Sequence, residues 1–278
     1  MIYIVLPIFN EEKSLIPLLT DMEKVMNDCG FDYRIIAVND GSSDDSLKIL
    51  EQYQTRLPIT IINHKINRGL GETIRDGFEA AAENADDMDI IIRLDSDYTH
   101  HPKYIPILIN KMEEGYDVVI CSRFQPGAEA KGLNIYRTFI SMCANMFLKL
   151  FFPMKNVKEF SCGFRAYRMQ YIKTAINIFG NSFIDLKGLG FTVTIEKLIK
   201  MRMLGARFAE IPFTLHYDKK MSESKMVTSV TTLGYIILVV KYITWWGKTG
   251  KIWKEKIEEF KRRKKNNGQQ NNNRRYNS

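Results

Sequence analysis

The first 122 residues alternate short β-branched runs with longer amphipathic patterns, and no other feature constrains the fold of this chain as strongly. The short runs predict strands at residues 3–6, 33–38, 58–63, 89–94 and 117–121. The longer patterns predict helices at residues 11–28, 44–54, 70–84 and 102–114. This order is typical of an α/β fold, in which helices cover both faces of a mainly parallel sheet. Ligands of such sheets bind beyond the carboxyl ends of the strands, where the polar motifs of this sequence lie.

The alternation becomes irregular after residue 122. Residues 135–152 form a helical pattern that is apolar on nearly all sides, which is typical of a helix that is buried in a core or faces lipid. A further helix is predicted at residues 190–204 and a further strand at residues 207–215.

A largely apolar segment, residues 227–247, contains Lys241 and four threonines and ends in Trp245 and Trp246. A membrane-spanning helix needs ~20 apolar residues with few charges, and this segment barely meets that requirement. An interfacial amphipathic helix with aromatic anchors fits at least as well, and a buried core helix stays open as an alternative.

The net charge of +8 lies in the last part of the chain. Residues 248–278 contain eleven Lys and Arg against three Glu, so the remaining residues are neutral in sum. A neutral body argues against nucleic-acid binding, whereas the basic segment favours an anionic membrane surface. We therefore expect an α/β domain over residues 1–226, apolar and basic helices over 227–265, and a disordered Asn-rich tail over 266–278.

The location of the protein is predicted from two further features. The four cysteines are widely spaced without metal-ligand spacing, which indicates reduced thiols in a cytosolic compartment. Residues 2–6 enter a strand pattern directly, so no signal peptide is expected. Together with the basic segment, these features predict a protein at the cytoplasmic face of a membrane, held peripherally or by one C-terminal helix.

Two carboxylates, Asp95 and Asp97, directly follow the fourth predicted strand. Carboxylates this close repel each other unless a cation lies between them, and hard oxygen ligands suit Mg²⁺ or Mn²⁺. Such a metal would neutralise the charge that develops on a departing nucleoside diphosphate. The alternative is a surface turn that caps the helix beginning at Pro102.

Two other strands end in polar motifs. After the second strand, Asp40 is placed to accept hydrogen bonds from a base or ribose, and Gly41 permits a close backbone approach. After the first strand, Pro7, Phe9 and Glu11 offer an aromatic ring beside a carboxylate. Taken alone, each motif also fits an ordinary strand-to-helix turn, with a cap on the following helix.

In this order and spacing, the three motifs resemble the nucleotide-sugar-binding half of family 2 glycosyltransferases with the GT-A fold. Six further segments look like those of dolichol-phosphate mannosyltransferases and their polyprenyl-phosphate relatives: residues 95–102, 122–124, 136–141, 162–167, 210–213 and 223–225. The similarity extends from Tyr3 to about Met226. The chain lacks a Gln-x-x-Arg-Trp segment, which argues against a processive polysaccharide synthase.

The resemblance implies roles for individual residues. The donor, of the GDP-mannose or UDP-glucose type, would be bound by Pro7, Phe9, Glu11, Asp40, Asp95 and Ser96. The metal would be held by Asp95 and Asp97. The acceptor phosphate would be bound by Arg123, Arg137, Ser141 and Lys225. The catalytic residues would be Asp97, Arg123 and Arg137.

The implied reaction is an inverting, metal-dependent transfer of a hexose, mannose or glucose, to a polyprenyl phosphate. A phosphate oxygen is already ionised at neutral pH and needs no general base. A hydroxyl acceptor on a glycan or glycolipid is the alternative reaction, with Glu159 as the candidate base. A nucleotide-binding module without turnover, held in a membrane complex with a partner subunit, is the non-enzymatic alternative. The sequence departs from its relatives at Glu159, Cys162 and Thr99, and Lys219 or Lys220 replaces an expected arginine.

Overall fold

A seven-stranded sheet forms the centre of the computed structural model, which describes residues 1–222, 228–243 and 251–262. Its strands are β1 (Ile2–Ile8), β2 (Tyr33–Asp40), β3 (Ile59–His64), β4 (Ile90–Arg93), β5 (Val118–Ser122), β7 (Arg165–Arg168) and β8 (Phe208–Pro212). They lie in the order β3-β2-β1-β4-β7-β5-β8. All are mutually parallel except β7, which runs antiparallel between β4 and β5. A separate two-stranded sheet pairs β6 (Glu129–Lys131) with β9 (Thr214–His216).

Helices cover both faces of this sheet. They are α1 (Glu12–Cys29), α2 (Ser46–Gln54), α3 (Leu70–Glu83), α4 (Ile105–Glu113), α5 (Ile135–Phe151), α6 (Met169–Phe179), α7 (Thr192–Met203) and α8 (Thr228–Ile243). Residues 251–262 are also helical. Alternate side chains of β1 enter opposite cores: Ile4 packs with Leu15 of α1, and Val5 packs with Phe78 of α3. The predicted α/β fold with helices on both faces is confirmed.

Every predicted strand and helix before residue 122 is present, with bounds shifted by a few residues. The predicted strand at residues 207–215 is two strands, β8 and β9, separated by Phe213. Strand β7 and helix α6 were not predicted. The reason for missing β7 is its composition, because Arg165 and Arg168 make up half of it, and buried strands are rarely so basic.

Helix α5 lies on the surface with its apolar side exposed. Of its seventeen residues, all of them described, Asn145 and Leu148 are buried. Its large exposed apolar side chains are Ile135, Tyr136, Phe139, Ile140, Met142, Met146, Phe147 and Leu150. The core alternative for this helix is therefore wrong. The lipid-facing alternative stays a prediction.

Helix α8 contacts α5 and has an exposed apolar side of its own. The exposed residues are Leu233, Ile236, Ile237, Val240 and Ile243. Tyr242 and Lys241 attach α8 to the body, Tyr242 through Glu196 and Lys241 through Asp185 at 2.8 Å. Within the described parts of the chain, no helix combines the length and apolarity that crossing a bilayer requires. Trp245, Trp246 and the predicted tail at residues 266–278 lie outside the described residues.

Candidate active site

The carboxyl ends of β1, β2 and β4 bring the three predicted donor motifs to one edge of the sheet. These strands are neighbours in the order β2-β1-β4, so residues that follow them meet. The hydroxyl of Ser96 donates to the carbonyl of Pro7 at 2.9 Å, which joins the end of β4 to the end of β1. Pro7, Ser96 and Asp40 are buried here. The structure therefore brings the predicted donor residues together.

Side chains link the segments that follow β1 and β2. Ser46 accepts from the backbone N–H of Glu11 at 2.9 Å, and Ser42 accepts from that of Asn10 at 3.0 Å. In return, the amide oxygen of Asn10 accepts from the backbone N–H of Ser43 at 2.8 Å. These reciprocal bonds hold the backbone around Phe9 and Glu11, so both residues are presented on a fixed loop. Phe9 and Glu11 as nucleoside contacts stay predictions.

Asp40 holds the glycine-containing loop before α3. Its carboxylate accepts from the backbone N–H groups of Arg68 at 2.8 Å and Gly69 at 2.9 Å, and its Oδ1 lies 2.7 Å from Nδ1 of His64. Gly41 has a φ of 69°, and a Cβ there would lie 2.5 Å from the backbone carbon of Ile66. The predicted close backbone approach at Gly41 is thus made by this loop. The contact of Asp40 with the nucleoside stays a prediction.

Each of the two aspartates predicted to bind metal has a cationic partner. Asp95 pairs with Arg93, and Asp97 pairs with Lys220. The hydroxyl of Thr99 donates to Asp97 at 2.6 Å. Burial, the largest single effect, would raise the pKa of Asp97, but the charge of Lys220 and the hydrogen bonds from Lys220 and Thr99 together hold the pKa below its usual value. Asp97 is therefore an ionised acceptor at neutral pH.

His100 fixes the backbone of Asp95. Its ring stacks on Phe164 with centroids 5.4 Å apart, and its Nδ1 accepts from the backbone N–H of Asp95 at 3.0 Å. Burial lowers the pKa of His100, which favours the neutral ring that can accept at Nδ1. Sequence reasoning gave His100 no role, although its position three residues after Asp97 was the available signal.

The chemistry of Asp95 and Asp97 fits a hard divalent cation. Both residues supply carboxylate oxygens beside the donor motifs, and the pairing of each with a basic side chain indicates negative charge that requires compensation. The described residues contain no cluster of three or more His, Cys, Asp or Glu side chains arranged to hold a metal. Metal binding by Asp95 and Asp97 stays a prediction.

Arg123, which directly follows β5, is clamped by a buried acid. Its Nε and Nη2 donate to the two oxygens of Glu159 at 2.8 and 2.9 Å, and Nη2 also donates to Ser161 at 2.8 Å. Glu159 is fully buried, and Arg123 is mostly buried. Burial, the largest single effect, would raise the pKa of Glu159, but the charge of Arg123 and the hydrogen bonds from Arg123, Ser161 and Cys162 together hold the pKa below the usual 4.5. This bidentate pair fixes the plane of the guanidinium.

The same geometry argues against Glu159 as a general base. A base for a hydroxyl needs access to the acceptor and a pKa near the working pH. Glu159 is inaccessible, bound to Arg123 on both oxygens, and shifted towards a lower pKa. Its observed role is to orient Arg123.

Asn145 connects helix α5 to this pair. Its amide oxygen accepts from the backbone N–H of Phe160 at 2.6 Å, and its Nδ2 donates to the carbonyl of Ser141 at 2.7 Å. It is buried, in contrast to the exposed apolar residues around it. Sequence reasoning missed Asn145, and the available signal was one amide within an otherwise apolar helix. The predicted acceptor residue Ser141 lies one turn before it, half-buried.

Arg137 lies at the start of α5 and contacts the segment that follows β9. Its Nη1 donates to the hydroxyl of Tyr217 at 2.8 Å. In the same segment, Lys220 pairs with Asp97, and Ser222 lies 3.1 Å from a carboxylate oxygen of Glu11. Residues 217–222 thus touch the predicted acceptor, metal and donor positions in turn. Lys220 reaches Asp97, so it is Lys220 rather than Lys219 that meets the metal position. Lys225 lies outside the described residues.

Known proteins with related sequences include two named for transfer to polyprenyl phosphates. The chain is 26% identical over 255 residues to a dolichol-phosphate mannosyltransferase of Pyrococcus furiosus, covering 91% of this chain and 67% of that protein. It is 29% identical over 225 residues to an undecaprenyl-phosphate 4-deoxy-4-formamido-L-arabinose transferase of Klebsiella pneumoniae, covering 80% of this chain and 61% of that protein. The chain therefore spans about two thirds of the length of these relatives.

Solved structures share the fold at lower sequence identity. Residues 1–349 of S. aureus TarS, in complex with UDP-GlcNAc, match with a TM-score of 0.58 and 17% identity over 87% of this chain and 66% of that one. Mannosyl-3-phosphoglycerate synthase from Rubrobacter xylanophilus matches with a TM-score of 0.58 and 13% identity over 88% of this chain and 74% of that one. These likenesses confirm the GT-A fold that was predicted.

The profile of one family covers most of the α/β domain. Residues 3–176, more than half of the chain, match Glycosyl transferase family 2. The matched region includes the three donor motifs, the Arg123–Glu159 pair and helix α5. The predicted resemblance is confirmed, and the chain belongs to glycosyltransferase family 2.

Proposed function

We propose that this protein transfers a hexose, mannose or glucose, from a nucleotide sugar to a polyprenyl phosphate at the cytoplasmic face of a membrane. The observation that carries this proposal is the clamped guanidinium of Arg123 beside a helix whose apolar side is exposed. A polyprenyl phosphate has the matching chemistry, an anionic head on an apolar tail. The names of the two related transferases support the same acceptor class.

The acceptor phosphate would be bound by Arg123 and Arg137, with Ser141 and Lys225 as further partners. Arginine suits this task because its planar fork binds phosphate oxygens in pairs. Arg137 is exposed at the start of α5, one turn before Ser141. A phosphate on a lipid lying along α5 would reach this position while its tail contacts the apolar side of the helix.

The donor would lie over the carboxyl ends of β1, β2 and β4, against Pro7, Phe9, Glu11, Asp40 and Ser96. Asp95 and Asp97 would hold Mg²⁺ or Mn²⁺ there, and a metal so held neutralises charge on the nucleoside diphosphate as it departs. Lys220 is placed to move from Asp97 to the diphosphate when the donor arrives.

The chemical step needs no general base. An ionised phosphate oxygen attacks the anomeric carbon, the bond to the nucleoside diphosphate breaks, and the configuration inverts. Arg123 and Arg137 keep the attacking phosphate in place and offset its charge, which is the contribution expected of preorganised cations. The low pKa and complete burial of Glu159 support a phosphate acceptor over a hydroxyl acceptor.

The exposed apolar sides of α5 and α8 would rest in the membrane interface. Helix α5 has seventeen residues and the described part of α8 has sixteen, whereas a helix that crosses a bilayer core of about 30 Å needs about 20. An apolar side paired with a basic segment is typical of interfacial binding to anionic lipid. The net charge of residues 248–278 is positive, which supports this orientation.

A transfer assay with the full chain in detergent tests the proposal. Labelled GDP-mannose, UDP-glucose and related donors are offered with Mg²⁺ or Mn²⁺ and with either polyprenyl phosphate or the matched polyprenol. We expect labelled lipid from the phosphate alone, no product with Asp97→Asn, and loss of product with chelator. Labelled polyprenol would favour a hydroxyl acceptor instead, and donor hydrolysis without labelled lipid would contradict the acceptor assignment.

A further inference from the structure

The side chain of Arg93 is packed in the protein interior next to Asp95, one of the two predicted metal ligands. Arg93 is the last residue of β4, its side chain is 1% exposed, and its Nη2 donates to Oδ1 of Asp95. Gly163 makes room for it, because a Cβ at Gly163 would lie 1.2 Å from Nη1 of Arg93. The guanidinium is therefore held in place by packing as well as by the ion pair.

Two buried basic residues, Arg165 and Lys197, lie near Arg93. In the β4–β7 pair, Arg93 lies opposite Arg165, which is also fully buried. The ammonium of Lys197 lies 4.2 Å from the ring centroid of Phe78. Burial, followed by the charges of Arg93 and Arg165, lowers the pKa of Lys197 well below its usual value. Within the described residues, Nε and Nη1 of Arg93 make no hydrogen bond, so its hydrogen-bonded anion is Asp95.

Asp95 and Asp97 differ in the mobility of their basic partners. Lys220 is on the segment after β9, at the end of a long side chain, and can turn from Asp97 towards an incoming phosphate. Arg93 is enclosed by the sheet and by Gly163, so packing holds it beside Asp95. One positive charge is thus a permanent part of the metal position.

We propose that Arg93 is a positioning residue that keeps Asp95 paired and thereby prevents the nucleotide-free site from binding free divalent metal tightly. This inference rests on the proposed metal site at Asp95 and Asp97. A fixed cation beside a ligand repels a divalent ion and occupies one carboxylate oxygen. A nucleoside diphosphate brings negative charge of its own, which restores the attraction. Metal and nucleotide then bind cooperatively, because each raises the affinity of the other by the same factor.

Titration of the full chain with Mn²⁺, followed by electron paramagnetic resonance of the free ion, tests this without any activity measurement. Arg93→Met and Arg93→Gln remove the charge, and Gln keeps a hydrogen-bond donor. Arg93→Lys keeps the charge. Without nucleotide, we expect both neutral variants to bind Mn²⁺ at least ~tenfold more tightly than the wild type, and the Lys variant to bind as the wild type does. Added UDP or GDP should raise the Mn²⁺ affinity of the neutral variants less than that of the wild type.

Three results would overturn the inference. If the neutral variants bind Mn²⁺ as weakly as the wild type, or more weakly, Arg93 only packs or orients. If Arg93→Gln behaves as the wild type while Arg93→Met does not, the hydrogen bond matters and the charge does not. If neither the wild type nor any variant binds Mn²⁺ even with UDP and GDP, the proposed metal site at Asp95 and Asp97 is wrong as well. This outcome distinguishes failure of the metal site from failure of the Arg93 inference alone. Thermal unfolding checks each variant, and Arg93→Gln decides the question if Arg93→Met does not fold.

Discussion

Three carboxylates at the carboxyl edge of the sheet, Asp95, Asp97 and Glu159, each accept from a cationic side chain. The carboxylates differ in burial: Glu159 is completely buried, whereas the side chains of Asp95 and Asp97 are 24% and 15% exposed. Breaking a buried pair leaves an uncompensated charge, which costs more than losing an exposed pair. The single-residue predictions therefore concern Glu159.

Glu159→Gln should weaken acceptor binding and destabilise the fold. Arg123 would keep its charge but lose its bidentate partner, and a broken buried pair costs about 3 kcal/mol of unfolding free energy. We expect the KM for polyprenyl phosphate to rise about tenfold, the equivalent of about 1.4 kcal/mol, with little change in the KM for the donor. Denaturant unfolding and steady-state kinetics measure the two effects.

The matched control is Glu129→Gln, because Glu129 is exposed and its ion pair with Lys131 at 3.3 Å lies on the surface. Complete loss of transfer at every acceptor concentration, with acceptor binding intact, would instead indicate that Glu159 acts as a base.

The pH dependence of the free energy of unfolding should reveal the contribution of the Arg123–Glu159 ion pair. The folded-state pKa of Glu159 lies below its usual value of 4.5, because the charge of Arg123 and the hydrogen bonds to Glu159 together exceed the opposing effect of burial. The pair therefore stabilises the fold fully above pH 4.5, and this contribution disappears as the pH falls through the lowered pKa. The difference in unfolding free energy between wild type and Glu159→Gln should be constant from pH 7 to 5 and then shrink. A difference that persists unchanged into strong acid would contradict the assignment.

The common location of the predicted donor and metal residues could be predicted from the sequence, whereas the Arg123–Glu159 pair could not. Asp95 and Asp97 follow the apolar strand β4, Asp40 is the last residue of β2, and parallel strands end at a common edge. Glu159 joins Arg123 across 36 residues, and Asn145 joins Phe160 across 15. No local periodicity encodes such a distance, because it depends on how the later elements are arranged.

At the scale of elements, the antiparallel strand β7 explains how Glu159 reaches Arg123. In an otherwise parallel sheet, the amino end of an antiparallel strand lies at the edge where its neighbours end. Arg165, the first residue of β7, accordingly pairs in register with Arg93, the last residue of β4. The segment that leads into β7 therefore places Glu159 and Ser161 at the carboxyl end of β5, next to Arg123.

The apolar sequence pattern of helix α5 does not decide whether the helix is buried or exposed. Apolar residues around nearly the whole helix fit a core and a lipid interface equally well. The structure exposes Met146 and Leu150 at 70% and 76%, and only Asn145 and Leu148 of this fully described helix are buried. The side that packs is thus identified by a polar residue, which hydrophobicity alone does not reveal.

The double substitution Met146→Glu and Leu150→Glu should abolish binding to vesicles without loss of stability. Both side chains are exposed, so the folded state loses little packing, and surface changes of this kind alter the unfolding free energy by at most about 0.5 kcal/mol each. Charges in the interface oppose insertion of the apolar side. Vesicle co-sedimentation measures binding, with Ile107→Glu on α4 as the control because Ile107 is exposed on a different element. Undiminished binding by the double variant would show that α5 does not contact the membrane.

At the scale of the whole molecule, charge and apolar surface are distributed unevenly. Helices α5 and α8 contact each other and each has an exposed apolar side, and the net positive charge of the chain lies in residues 248–278. Part of that basic segment belongs to the folded body. Trp253 packs on Phe179 with ring centroids 4.8 Å apart, and Ile257 is buried. Deleting the whole basic segment would therefore damage the core as well as remove charge.

Removing residues 263–278 isolates the electrostatic contribution. These residues contain five Lys and Arg and no acid, and the truncation keeps the packed helical residues 251–262. Each basic residue near an anionic surface contributes about 1 kcal/mol at physiological salt, and this contribution is screened as salt rises. We expect the truncated protein to bind anionic vesicles at least ~tenfold more weakly at 0.1 M salt, with a smaller salt dependence.

Deletion of residues 266–273, which are uncharged, shortens the same segment without changing its charge and should leave vesicle binding as in the wild type. The apolar sides of α5 and α8 remain in both variants, so binding that survives high salt should be equal in the two. Equal salt dependence for the wild type and the truncation at residue 262 would assign membrane attraction to the apolar helices alone, because the five basic residues would then contribute nothing measurable.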